Sequence, residues 1–235
     1  MIVIIPAYNE EDNIAGVIDG VKKDMPGADI LVVDDSSSDA TSGICKKKGV
    51  ITLKNPINLG YASTCQTGFK YACERDYGYI VQMDGDGQHP TRYISALLGP
   101  VMEGEADLCI GSRFLKDGYR TSLPRRIGMS LFSFIATTIS RKKITDPTSG
   151  FQAFNRKVLK VYCTDVYPED YPDADLIIKM HLAGFRLLEV PVKMYPNNRK
   201  SMHNFFSSTT YVVKMLLSIL VALVTKSYVK KIMEG

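Results

Sequence analysis

The chain has 235 residues, 45% of them hydrophobic and 23% charged, with a formal net charge of +4. These values suit one α/β domain with an extension, exclude a disordered chain, and give too little positive charge to argue for a nucleic-acid partner. The cysteines (Cys45, Cys65, Cys73, Cys109 and Cys163) are odd in number and lack a CxxC spacing, which predicts buried, reduced thiols rather than a disulfide framework or a zinc site.

Residues 2–5 (Ile-Val-Ile-Ile) read as a buried strand cut off by Pro6. No basic segment precedes this run and no small-residue cleavage site follows it, so it does not read as a signal peptide. Residues 11–23 predict a helix with Ile14, Val17, Ile18 and Val21 on one face. Ile30-Leu31-Val32-Val33 is a second buried strand, ended by Asp34-Asp35. Ser38 or Asp39 is expected to cap the next helix, which runs to about Lys48 before Gly49. A short strand at residues 50–53 and a helix at 63–75 come next. A strand at 79–83 then runs straight into Asp84-Gly85-Asp86.

After a strand at 108–110 the alternation weakens. Residues 125–140 read as helical, 146–150 as a loop and 157–162 as a short helix. A helix at 173–183 ends at Gly184, and residues 187–192 form a last strand. Short apolar strands joined by helices predict a mostly parallel sheet covered on both faces. Ligands of such sheets gather beyond the carboxyl ends of the strands, where this chain places Pro6-Ala7-Tyr8-Asn9-Glu10, Asp34-Asp35, and Asp84 with Asp86.

Asp84-Gly85-Asp86-Gly87-Gln88-His89-Pro90 is the sharpest of these signals. Two carboxylates one residue apart on a glycine-rich turn offer hard oxygen ligands of the kind magnesium or manganese takes while keeping waters and phosphate oxygens. Gln88 adds an oxygen, and His89 a nitrogen better suited to manganese. The plainer reading, an Asx-turn, is outweighed by the position after a buried strand and before Gln-His-Pro. Asp34 and Asp35 repel one another, so a cation or a hydrogen-bond donor such as a nucleobase N–H should face at least one of them.

Taken in order, Pro6-Ala7-Tyr8-Asn9-Glu10, Val33-Asp34-Asp35-Ser36 with Asp39 and Thr41, Asn58-Leu59-Gly60, the Asp84–Pro90 run and Gly111-Ser112-Arg113 resemble family 2 glycosyltransferases of the GT-A fold. Within that family the pattern is most similar to the dolichol-phosphate and other polyprenyl-phosphate mannosyl- and glucosyltransferases. The resemblance implies a GT-A α/β fold over residues 1–204. It also implies that Pro6, Tyr8 and Glu10 line the nucleotide-base pocket, with Asp35 bonding the base. Asp84 would meet the donor's ribose or sugar side, and Asp86 with Gln88 would hold Mg2+ or Mn2+. Arg113 and Arg126 would meet the acceptor phosphate, with Ser130 one turn beyond Arg126. Asp146-Pro147-Thr148-Ser149-Gly150-Phe151 resembles the family's acceptor-side loop, but Gln152 stands where many members carry an arginine.

Arginine's planar, permanently charged fork suits a phosphate. A phosphate acceptor is itself anionic at neutral pH and needs no strong general base. A hydroxyl acceptor would need one, with Asp146 or Asp175 as the candidates.

At the C-terminus, residues 205–235 read as an amphipathic helix. Val212, Leu216, Ile219 and Leu223 follow helical spacing, and the apolar core at 215–224 is about half of the roughly 20 residues a span requires. Lys226, Lys230 and Lys231 suit anionic headgroups. The segment is expected to lie on a membrane, to pack on the enzyme or a second copy of it, or to meet a small membrane-protein partner. The expected whole is an inverting, metal-dependent hexosyltransferase at the cytoplasmic face of a membrane, taking a GDP- or UDP-sugar donor to a polyprenyl phosphate. Transfer to a sugar hydroxyl, or donor binding without turnover, are the alternatives.

Overall fold

The computed structural model describes residues 1–115, 133–135, 137–138, 143–168, 174–195, 217 and 221. β1 (Ile2–Ala7), α1 (Ile14–Asp24), β2 (Asp29–Asp34), α2 (Thr41–Lys47), β3 (Ile51–Lys54), α3 (Tyr61–Glu74) and β4 (Tyr79–Gln82) follow the predicted alternation. A 3-10 turn (Thr91–Tyr93) then leads into α4 (Ile94–Met102) and β5 (Leu108–Ser112). β6 (Gln152–Asn155), α5 (Arg156–Tyr162), α6 (Ala174–Leu182) and β7 (Leu187–Pro191) complete the described elements.

The strands form one seven-stranded sheet in the order β3-β2-β1-β4-β6-β5-β7. All neighbours are parallel except at β6, which runs antiparallel to both β4 and β5. β1 is buried along its whole length because both faces are covered, which is why its sequence is a continuous apolar run and not an alternating one. Ile2 and Ile4 point into one core with Phe69, Phe154 and Tyr162, packed under α3, α5 and α6. Val3 and Ile5 point into the other, with Ile14, Ile18, Leu97 and Val101 from α1 and α4.

α4 and β6 were not expected. Ile94, Leu97, Leu98 and Val101 are buried at helical spacing, but Pro90 before them and Gly99-Pro100 within the helix read as punctuation. Pro100 lacks the N–H that would bond the preceding turn, which weakens the helix without ending it, and α4 stops at Met102 just before Gly104 at φ 75. The caps also differ from expectation. Ala40 is the N-cap of α2 and bears no side-chain cap, while Asp39 sits one residue earlier and accepts from Thr41 N and Oγ1. Residues 133–135 and 137–138 are helical, inside the stretch predicted as a helix. Arg125, Arg126 and Ser130 lie outside the described residues, as does all of the C-terminal extension except Leu217 and Val221.

Candidate active site at the carboxyl ends of the strands

The loops after β1 and β2 are laced into one platform. Asn9, in the left-handed region at φ 55, accepts from Ser38 N at 2.9 Å while its own N–H donates to Ser37 Oγ at 2.9 Å. Glu10 N donates to Thr41 Oγ1 at 2.8 Å, and Glu10 Oε2 accepts from Asn13. Pro6 is buried within β1, opposite Val33, and Tyr8 stands 46% exposed just beyond the strand.

Donors from the chain itself answer the repulsion between Asp34 and Asp35. Asp34 is fully buried, accepts from Ser37 N and Ser42 Oγ, and has Lys54 Nζ at 3.7 Å. Asp35 accepts from Asn55 Nδ2 at 2.8 Å, Leu59 N at 2.8 Å and Gly60 N at 2.9 Å. The last two belong to the turn entering α3, whose positive end favours a carboxylate. Gly60 turns with φ 85, where a side chain would be strained.

The next residue ties that turn to the acidic loop. Tyr61 Oη donates to Asp84 Oδ1 at 2.7 Å and accepts from Gln82 Nε2 at 3.0 Å. Burial, reinforced by the Asp84 charge, pushes the Tyr61 hydroxyl well above its ordinary pKa, so it stays a neutral donor. Gly150 closes over the same carboxylate. A methyl group there would meet Tyr61 Oη at 2.5 Å and Asp84 Oδ1 at 3.3 Å. Gly85 packs on the other side, where a methyl would lie 3.1 Å from the Pro6 carbonyl. The Asp84–Asp86 turn therefore rests directly on the end of β1.

Asp86 Oδ1 accepts from Gln88 N at 2.9 Å, and the Gln88 amide is held against Asp86 Oδ2. Among the described residues no three His, Cys, Asp or Glu side chains cluster as a complete metal cage. The donors on this turn are a carboxylate and an amide beside a second carboxylate. Such a set fits a hard divalent cation that draws its remaining ligands from water and phosphate, and not a structural metal. His89 is not arranged as a ligand. Its Nδ1 accepts from Asp84 N at 3.0 Å, its Nε2 lies 3.7 Å from Asp84 Oδ2, and its ring stacks on Phe151 with centroids 4.9 Å apart. It braces the turn.

Across the sheet, Arg113 forks onto Asp146. Nε donates to Oδ2 at 2.7 Å and Nη2 to Oδ1 at 2.6 Å, with the Arg113 N–H also on Oδ2 at 3.0 Å. Asp146 is fully buried, so this pair anchors the loop at residues 146–150, and breaking it would strand a buried charge at a cost of about 3–5 kcal/mol. Glu189 clamps the same loop by accepting from Thr145 N, Thr145 Oγ1 and Asp146 N. Burial lifts its pKa above the ordinary value against those bonds. Gln152 is turned inward, donating to Ser149 O at 2.9 Å and accepting from Tyr162 Oη. A cavity of about 230 Å3 opens beside this loop and not at the acidic turn; Ile110, Leu115, Ile144, Leu188, Lys143 and Glu189 contribute to its walls.

An acidic turn laid against the end of β1, in a sheet of this order, defines a glycosyltransferase of the GT-A fold. The Glycosyl transferase family 2 profile matches residues 2–163, and the chain belongs to that family. It is 34% identical to the polyprenol monophosphomannose synthase of Mycolicibacterium smegmatis over 81% of this chain and 76% of that protein. It is 29% identical to a UDP-N-acetylglucosamine–dolichyl-phosphate N-acetylglucosaminyltransferase of Methanococcus voltae, over 81% of this chain and 83% of the relative. Among solved structures, glucosyl-3-phosphoglycerate synthase from Mycobacterium tuberculosis with Mn2+, UDP-glucose and phosphoglyceric acid shares the fold. Its TM-score is 0.69 at 17% identity, over 94% of this chain and 78% of the other.

The sequence reading assigned no role to Tyr61, Asn55 or Glu189, and it named Gly150 only as part of the Asp146–Phe151 loop. Only Gly150 left a signal, as the glycine closing a Pro-Thr-Ser-Gly loop.

Proposed function

We propose that this glycosyltransferase moves a hexose from GDP- or UDP-sugar to a polyprenyl phosphate, with inversion, using Mg2+ or Mn2+. The observation that carries the acceptor class is the state of the acceptor-side carboxylates. A hydroxyl acceptor needs an available base, yet both oxygens of Asp146 accept from Arg113, and Asp175, 1% exposed, pairs with Lys179 at 3.1 Å. A phosphate acceptor brings its own anionic nucleophile. The apolar cavity with Lys143 in its wall suits the lipid-proximal end of such an acceptor. The phosphomannose synthase and N-acetylglucosaminyltransferase relatives are named for polyprenyl and dolichyl phosphate chemistry.

In this reading Pro6, Tyr8 and Glu10 border the base, and Asp35 holds the turn entering α3 while facing it. Asp84 orients the donor, and Asp86 with Gln88 hold the divalent cation. When bound, that cation offsets the charge of the departing diphosphate. Arg113 spends its fork on Asp146, so it shapes the acceptor loop and the acceptor phosphate falls first to Arg126.

Purified enzyme is incubated with manganese, polyprenyl phosphate in vesicles, and radiolabelled GDP-mannose, UDP-glucose or UDP-N-acetylglucosamine. One donor should label the organic-extractable lipid, and Asp86→Ala should abolish that label. Label confined to a water-soluble glycan would overturn the acceptor assignment, and undiminished transfer by Asp86→Ala would overturn the metal assignment.

A further inference from the structure

Beyond β7 the chain runs as a short strap, residues 192–195, linking the two halves of the site. Val192 N donates to Ser112 O at 3.0 Å, next to Arg113. Val192 also packs on Gly111, where a methyl group would meet Val192 Cγ1 at 3.1 Å. Three residues on, Tyr195 N donates to the Gln88 carbonyl at 2.9 Å. The Tyr195 side chain is 47% exposed, so burial does not hold it in place. Arg92 does: its Nη1 donates to Tyr195 Oη at 2.9 Å, and its guanidinium carbon lies 5.7 Å from the Tyr195 ring centroid and 5.0 Å from that of Tyr93.

Gln88 and Arg92 flank the His89–Thr91 stretch that leaves the acidic turn, and Tyr195 touches both. The turn itself has little stiffness of its own, since Gly85 and Gly87 lie on either side of Asp86 and Gly87 sits at φ 77. Ligands on so pliable a backbone need an outer anchor to hold their orientation.

We propose that Tyr195 is a positioning residue for the Asp86–Gln88 pair: anchored by Arg92, it keeps its N–H on the Gln88 carbonyl and so fixes the direction of the Gln88 amide and the Asp86 carboxylate. The inference rests on the metal assignment made above and deepens it.

The test is Mn2+ binding followed by the free-ion electron paramagnetic resonance signal, in the presence of saturating GDP or UDP. Tyr195→Phe and Arg92→Ala should each weaken Mn2+ binding by about 3- to 10-fold at unchanged Tm, and Arg92→Lys should recover most of the loss. Because both substitutions break one clamp, the double variant should bind no more weakly than the poorer single one. Wild-type Mn2+ affinity in Tyr195→Phe would overturn the inference. So would a loss of affinity that merely tracks a falling Tm across the series. Asp86→Ala separates the two layers: wild-type Mn2+ binding by that variant defeats the metal assignment itself, whatever Tyr195 does.

Discussion

At the scale of single residues, the site is governed less by its acids than by what points them. Asp84 is held by a tyrosine that remains protonated because it is buried beside a carboxylate. Tyr61→Phe deletes the donor and leaves Gln82 Nε2 without that acceptor. We expect kcat/KM for the donor to fall about 10- to 100-fold, equivalent to about 1.4–2.8 kcal/mol of transition-state stabilisation. Stability should drop by about 1–3 kcal/mol from the orphaned amide. Gly150→Ala should cost more activity, because its methyl displaces the Tyr61 hydroxyl and the Asp84 carboxylate together. Steady-state kinetics beside thermal denaturation would check both, and wild-type kinetics in Tyr61→Phe would show that Asp84 needs no such orientation.

At the scale of elements, Asp107 ties three strands together. Its carboxylate accepts from Arg186 N, Nε and Nη2 and from Asn155 Nδ2, while Asn155 N donates to its carbonyl. The beginnings of β5 and β7 and the end of β6 are thereby tied at one point. Burial alone would raise the Asp107 pKa, but the bonds from Arg186 and Asn155 outweigh it and hold the group at about 2, below its ordinary 3.8. A depressed folded pKa means stability that is complete above about pH 4 and lost as pH falls toward about 2. Asp107→Asn lacks that component. We expect its Tm at neutral pH to be lower by about 4–8 °C, corresponding to about 2 kcal/mol, with a flatter Tm profile between pH 4 and pH 2. Parallel profiles for the two proteins would refute the assignment.

The same elements explain what the sequence makes readable. β1, β2 and β4 are apolar runs because helices cover both faces, and their acidic ends stand next to them in the chain. The Asp34-Asp35 and Asp84–Gln88 clusters are legible for that reason. β6 is four residues with polar ends, Gln152 and Asn155, whose partners lie across an antiparallel reversal that no local pattern announces. Tyr61, Gly150 and Tyr195 reach the acidic turn only through tertiary packing; Tyr61 and Tyr195 look like ordinary helix and loop residues in the linear sequence, and Gly150 shows there only as the end of a loop. Asp146, named only as the candidate base for a hydroxyl acceptor, is the converse case. Its residue type suggested a base, but only the fold reveals the arginine that occupies it.

At the scale of the whole molecule, an enzyme proposed to use a lipid-linked acceptor has to meet the surface that carries that lipid. No helix among the described residues is long and apolar enough to cross a membrane. Leu217 and Val221 are both helical and are 57% and 55% exposed, and their four-residue spacing in the sequence is that of one helix face. Inserting that face into a bilayer interface would bury two side chains worth roughly 1.5–3 kcal/mol each. The nearby Lys226, Lys230 and Lys231 would add attraction to anionic headgroups. Leu217→Glu with Val221→Glu should therefore lower co-sedimentation with anionic vesicles by about a hundredfold or more, since roughly 3 kcal/mol corresponds to that factor. Transfer to vesicle-borne polyprenyl phosphate should fall in parallel, while transfer to a short, water-soluble phosphate analogue should persist because the catalytic loops are untouched. Raising the salt concentration should weaken vesicle binding of the wild type, as screening of the lysine contribution requires. If the double variant sediments like the wild type but elutes as a smaller species on gel filtration, the face joins two copies of the enzyme instead of meeting lipid.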